Sequence, residues 1–155
     1  MGYFIGVILQ TVILPLVSGT IELNATGGNP IEIYGRWWVF WGVGTRLVVA
    51  GAVQLIRPQT TAGILGTEQP SAGEMQVVRE LATANLGMGL AGLLALDPAW
   101  APAAGAAGGV FLLSAGVMHV TKKGKSPSEQ LATWTDLIVG IVAVVFLGSA
   151  LVGLL

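Results

Sequence analysis

A chain of 155 residues with 54% hydrophobic residues, 23 glycines and 10% charged residues is not a soluble domain, where charged residues make up about 25%. Mean hydropathy is +0.78, so the composition calls for an all-α integral membrane protein, with room for about five spans of about 20 residues and no aqueous domain. A formal charge of −1 excludes a basic nucleic-acid surface, and the absence of cysteine excludes disulfides, thiolate metal sites and thiol nucleophiles.

In chain order the hydropathy predicts a single bundle over 1–155 with spans at 3–21, 35–57, 74–96, 101–121 and 129–154, or four spans if the first is peripheral. The first has no Lys or Arg before it and so lacks the basic start of a secretory signal; it is expected to be retained, with a kink at Pro15. Residues 22–34 read as a polar loop, in which Asn24-Ala25-Thr26 matches a glycosylation acceptor. The second span opens on Arg36-Trp37-Trp38 with Trp41, an aromatic group of interfacial character, and closes at Pro58. Residues 59–73 read as the longest loop, with Ile64-Leu65 suited to a membrane surface. Asp97-Pro98-Ala99-Trp100-Ala101-Pro102 reads as a tight turn that makes spans three and four antiparallel neighbours, with Trp100 a further interfacial anchor. Ser128 is the expected cap of the last span. Arg57, Arg79 and Lys122, Lys123 and Lys125 fall on one side of this topology and Arg36 on the other. The N-terminus and the Lys122–Lys125 loop are therefore expected to be cytoplasmic, and the C-terminus outside.

The chemistry turns on Arg46, an arginine near the middle of an apolar span. A charge at that depth costs about 2.5–3.5 kcal/mol on insertion scales and normally faces protein or water with a partner. Helical spacing places Gly42, Ala50 and Val53 on the face of Arg46, Ala84, Gly87 and Ala91 on that of Glu80, Ala115 and Gly108 on that of His119, and Ala132, Gly140 and Ala143 on that of Asp136. Small residues mark close helix approach, so each of these groups is expected to face another helix. Arg79, above Leu86, Leu90 and Leu93, is expected to snorkel instead. At about 1.5 Å per residue, Arg46 lies about 16 Å from Arg57, with Asp136 about 9 Å, Glu80 about 6 Å and His119 about 4 Å inside their spans. The expectation is a buried cluster in the cytoplasmic half: Arg46 met by Asp136 or Glu80, Asn85 and Gln54 adding hydrogen bonds, and His119 at the rim. A buried Arg–carboxylate pair equally serves to fix helix register with no further role.

Gly87-Met88-Gly89-Leu90-Ala91-Gly92 fits the dinucleotide pattern G-x-G-x-x-G but lies inside an apolar helix without a preceding strand, so it reads as helix packing. Gly105 with Gly109, and Gly2 with Gly6, are G-x-x-x-G packing signals, and Gly140 is a further packing position. His119 is the only histidine; it is a candidate axial ligand for a haem or chlorin and, more simply, an interfacial histidine with a protein partner. A catalytic zinc usually takes three protein ligands, and no such set, nor any catalytic residue or metal site, is legible.

The run Tyr34-Gly35-Arg36-Trp37-Trp38 through Arg46, Gln54 and Arg57-Pro58, with Val78-Arg79-Glu80-Leu81, Ala84-Asn85-Leu86-Gly87 and Asp136-Leu137, resembles a family of small bacterial membrane proteins of unknown function. That resemblance implies a compact helical bundle in a bacterial inner membrane, and no activity or cofactor.

Three functions compete on this reading. The first is a non-catalytic accessory or scaffold subunit of a larger membrane complex, touching lipid and either other subunits or copies of itself. The second is a small transporter or ion- or proton-conducting protein using Arg46, Glu80, Asp136 and His119; a polar cavity open to one side would favour it, although no inverted repeat is visible. The third is an enzyme or a haem, pigment or quinone site, bordered by Trp37, Trp38 and Trp41.

Overall fold

A computed structural model describes residues 2–64, 67 and 69–153. Among them there is no strand, and six helices follow one another: α1 Gly2–Thr26, α2 Pro30–Ile56, α3 Pro58–Ile64, α4 Ala72–Leu93, α5 Ala101–Thr121 and α6 Pro127–Leu151. Two of the expected loops are largely helical. Only Gly27, Gly28 and Asn29 break the chain between α1 and α2, because Gly27 closes α1 in the left-handed region at φ 61° and the Asn29 side chain accepts from the Ile31 and Glu32 amides ahead of Pro30. Asn24 and Thr26 of the acceptor triplet bond back to Thr20 and Glu22 carbonyls within α1. The short α3 occupies the start of the long connection, while Leu65 and Gly66 in that connection and the expected last residue of the final span, 154, lie outside the described residues. Ser126, not Ser128, caps α6: its hydroxyl accepts from the Glu129 amide and Pro127 takes the first helical position, where no amide is needed. Ser71 and Glu74 form a reciprocal capping box at the start of α4.

Among the described residues, four helices are long and apolar enough to cross a membrane, namely α1, α2, α5 and α6. The first segment, which carried the doubt, is among them. The exception is α4, whose 22 residues suffice in length but whose Glu74, Gln76, Arg79, Glu80 and Asn85 dilute its apolar content.

The aromatic group at the start of α2 holds α1. Pro15 has no amide hydrogen, so the Thr11 carbonyl loses its α-helical donor, and the Trp38 indole donates to that carbonyl at 3.0 Å. The turn just before Pro15, Leu9–Ile13, is π-helical, with the Leu14 amide donating to the Leu9 carbonyl. The Trp37 indole donates to the Glu22 carboxylate at 2.7 Å and the Trp41 indole to the Ser18 hydroxyl at 3.1 Å. Three expected interfacial anchors thus bond a neighbouring helix, and Trp100 alone of the four stays largely exposed, at 53%. Arg36 completes this end, pairing with Glu22 at 2.6 Å and donating to the Leu96 carbonyl in the α4–α5 turn at 2.8 Å.

The core is built from the middle of α2 (Val39, Val43, Leu47), from α5 (Ala101, Ala104, Leu112) and from α6 (Val139, Ala143, Phe146). Glycines set the helix spacing. A Cβ on Gly92 of α4 would lie 2.5 Å from the Gly44 amide nitrogen of α2, one on Gly140 of α6 would lie 2.6 Å from the Leu113 nitrogen of α5, and one on Gly109 would meet the Ala143 methyl at 2.7 Å. Gly105 is less tight, with Val39 at 3.3 Å. Gly87 is not a packing residue: it is exposed and nothing lies within 4 Å of its Cβ direction. The face of α4 that packs carries Val78, Ala82, Asn85, Gly89 and Gly92, and Gly87 lies off that stripe. Gly2 and Gly6 likewise have open space around them. Gly92→Leu is therefore expected to cost at least the 1–3 kcal/mol typical of overpacking, because backbone faces the new side chain, while Gly87→Ala is neutral or stabilising by up to about 1 kcal/mol; thermal unfolding of both variants in detergent checks the contrast.

Candidate functional site

Arg46 follows a second π-helical segment, Val39–Thr45, in the middle of α2. The two π-helical segments meet: the Gln10 amide donates to the Thr45 hydroxyl at 3.2 Å. Just beyond this junction Arg46 reaches α6, where its Nη2 donates to Asp136 Oδ1 at 2.5 Å and to Thr135 Oγ1 at 3.1 Å. The side chains are 11% and 9% exposed, so the pair is nearly dry. Arg46 Nη1 is buried and has no hydrogen-bond partner.

The second polar element lies between α2 and α4. Asn85 Nδ2 donates to Gln54 Oε1 at 2.7 Å, with both residues buried, and Asn85 Oδ1 is left buried without a partner. Glu80 does not belong to the cluster. It is exposed and accepts from Gln76 one turn back at 3.0 Å, because the face of α4 turned to α2 runs through Ala82 and Asn85 rather than through Ala84 and Gly87. Arg79 is exposed beside it.

At the rim, His119 Nδ1 lies 3.2 Å from Glu129 Oε1, and Lys122 Nζ lies 2.9 Å from the same oxygen. Glu129 is 1% exposed. Composition and depth did not single it out, yet a signal was there: it stands seven residues before Asp136, on the same face of α6 as Thr133 and Gly140. Lys125 Nζ donates to the His119 carbonyl at 2.8 Å, and the Ser126 hydroxyl to the Ile64 carbonyl at 3.1 Å, tying α3 to the start of α6.

Of these polar residues, Arg46, Gln54, Asn85, His119 and Asp136 border a cavity of about 490 Å³. Tyr3, Val7 and Gln10 of α1, Arg46, Val49, Val53 and Gln54 of α2, Thr60 and Ile64 of α3, Leu81 and Asn85 of α4, Phe111, Ala115 and His119 of α5, and Ala132 and Asp136 of α6 line it. Aliphatic and aromatic surface dominates, with a few convergent polar groups, which is the usual make-up of a small-molecule site. Gly2 and Gly6, open on the packing side, belong to this wall. Among the described residues no three of His, Asp and Glu are placed to hold a metal ion.

The class is thus a helical membrane bundle with an ion-paired, mostly apolar cavity at the end of the molecule that carries most of its basic residues. Residues 1–152 match the profile of a family of unknown function, DUF6790, and the chain belongs to that family. No curated protein and no solved structure matches it.

Removing one member of a buried pair strands the other charge at a cost of about 3–5 kcal/mol, whereas replacing both with apolar residues is often neutral. Asp136→Leu is expected to show that loss in detergent unfolding, Arg46→Met/Asp136→Leu to recover most of it, and Glu80→Gln to change nothing.

Proposed function

We propose that this protein is a non-catalytic integral protein of the bacterial inner membrane that holds one small, mostly apolar molecule between its helices. The observation that carries the reading is the cavity beside Arg46 and Asp136, about 490 Å³ in volume, whose wall surface is mostly apolar. A wall of that kind favours an apolar molecule over an ion, and the Arg46 and Asp136 charges on it answer one another. The clustering of Arg57, Lys122, Lys123 and Lys125 supports assigning this half to the cytoplasmic leaflet, with the N-terminus cytoplasmic and, if α4 crosses with the other four helices, the C-terminus outside.

An accessory role in a larger membrane assembly is compatible with ligand holding and has its own support in α1. The most apolar window of that helix is only 22% buried, against 39% for α2 and α6, and Ile5, Ile8, Ile13, Val17 and Ile21 are exposed along it. Lipid or a partner helix would cover that surface.

Native mass spectrometry and solvent extraction of protein purified from its own membrane, in mild detergent, test the ligand. The wild type is expected to carry a stoichiometric apolar molecule, and Ala115→Phe and Ala132→Phe, which fill the cavity, to lose it while keeping their helical circular dichroism. Equal recovery from folded filled variants, or no bound molecule in any of them, would overturn the reading.

A further inference from the structure

The cavity has an opening between α1 and α2. Trp37, Trp38 and Trp41 fasten the later part of α1, and Gln10, bonded to Thr45 at 3.2 Å, is the first residue of α1 whose side chain hydrogen-bonds another helix among the described residues. Before Gln10 the two helices part. They run antiparallel, so in the register of the Gln10–Thr45 bond Gly6 comes level with Val49 and Gly2 with Val53. All four residues line the cavity, and a Cβ on Gly2 or Gly6 would meet nothing within 4 Å. Tyr3, Val49 and Val53 are 42%, 53% and 40% exposed although they belong to the wall. Both valines stand within the apolar part of α2, so the opening faces lipid rather than water. Its depth matches one leaflet. The walls run over 2–10 of α1, 46–54 of α2 and 111–119 of α5, about 12 Å of helix at about 1.5 Å per residue, against about 15 Å of hydrocarbon in half a bilayer. The deep end stops at the Arg46–Asp136 pair, whose charges cancel, and the shallow end carries Thr60 and His119. Arg57 lies in sequence between the wall residues Gln54 and Thr60, Lys123 follows His119 just past the end of α5, and both are exposed.

We infer that the occupant is a glycerophospholipid of the leaflet at the basic end of the bundle. One acyl chain enters sideways between Gly6 and Val49, the second stays in the bilayer, and the phosphate sits at the rim marked by Arg57 and Lys123. A slot open along its side admits a chain whose head never leaves the interface. Cations at that level attract phosphate, and the apolar walls beyond them suit a methylene chain. The inference rests on the ligand-holding reading above and names the molecule and its route.

Native mass spectrometry of protein released from nanodiscs tests both. The chain has no cysteine, so Gly6→Cys/Val49→Cys supplies its only two thiols, one at a position with open space and one on an exposed side chain. Loaded in deuterated phosphatidylglycerol and phosphatidylethanolamine and then mixed with undeuterated discs, this protein is expected to retain one phospholipid and to exchange it. A reducible bis-methanethiosulfonate bridge between the thiols is expected to slow exchange at least tenfold, with reductant restoring it, and Ala115→Phe to abolish retention. When diacylglycerol of the same chains is present in equal amount, phospholipid is expected to be retained in preference, and Arg57→Gln/Lys123→Gln to lower that preference about fivefold. Unchanged exchange in the bridged protein, thiols that no bridge joins, diacylglycerol retained as well as phospholipid, or a preference unmoved by the rim variant would overturn the inference; a molecule still bound in wild type and lost in Ala115→Phe would leave the cavity a ligand site. If neither wild type nor Ala115→Phe retains any molecule, the ligand-holding reading fails with it.

Discussion

The contact between Arg46 and Asp136 constrains this bundle more than any other. An arginine in the middle of an apolar helix has few places to go, since lipid offers it no partner and its own helix offers only Gly42, Ala50 and Val53. Asp136, about two and a half turns into α6, answers it, and Thr135 takes a second bond from the same nitrogen. Such a pair contributes little net stability, because desolvating both charges offsets most of their attraction. What it supplies is register. The guanidinium reaches the carboxylate in one rotation of α2 and at one height against α6, and the glycine contacts that bring α2 to α4 and α5 to α6 within backbone distance fall into place in that same register.

The π-helical segments are the second constraint, and the first of them adjoins the first helix's proline. Pro15 removes a donor in α1, the chain relaxes into a wider turn over Leu9–Ile13, and Trp38 fills the vacancy from α2. Opposite it, α2 widens over Val39–Thr45, and Gln10 and Thr45 join the two widened stretches. Segments of this kind recur at functional sites, because an inserted residue rotates the side chains that follow. Here the residue that follows is Arg46. The indole bonds of Trp37, Trp38 and Trp41 explain how a helix with so little buried surface as α1 is held as one wall of the cavity.

Much of this was legible in residue types and spacing, and the failures share a cause. Depth along the spans was enough to bring Arg46, Asp136, Asn85, Gln54 and His119 to one end of the bundle, because charge and amide groups are rare in an apolar chain and each needs a partner. Direction around a helix was harder to read. In α4 the stripe Ala84, Gly87, Ala91 looks as good a packing face as Ala82, Gly89, Gly92, since small residues occupy both, and only the second meets α2. Glu80 was placed on the wrong stripe for that reason. The π-helical segments leave no mark in composition, so the rotation they impose on α2 could not be anticipated. Glu129 was passed over because it sits at the start of a span, where an acid is ordinary at a helix N-terminus; its buried state comes from Lys122 and His119 folding over it.

The polar groups of the bundle are unevenly satisfied. At the end marked by Arg36, the carboxylates of Glu22 and Glu32 and the Leu96 carbonyl gather around one guanidinium, and its unbonded Nε still has Glu32 at 3.7 Å. At the other end, Arg46 Nη1 and Asn85 Oδ1 have nothing comparable, and both side chains border the same cavity. A fold concerned only with holding its helices together would place apolar residues at such positions, as Ala82 and Val78 do one and two turns before Asn85 on the same face. Buried polar atoms left without a partner cost stability, so the Arg46 and Asn85 side chains are retained at the expense of the bundle rather than for its sake.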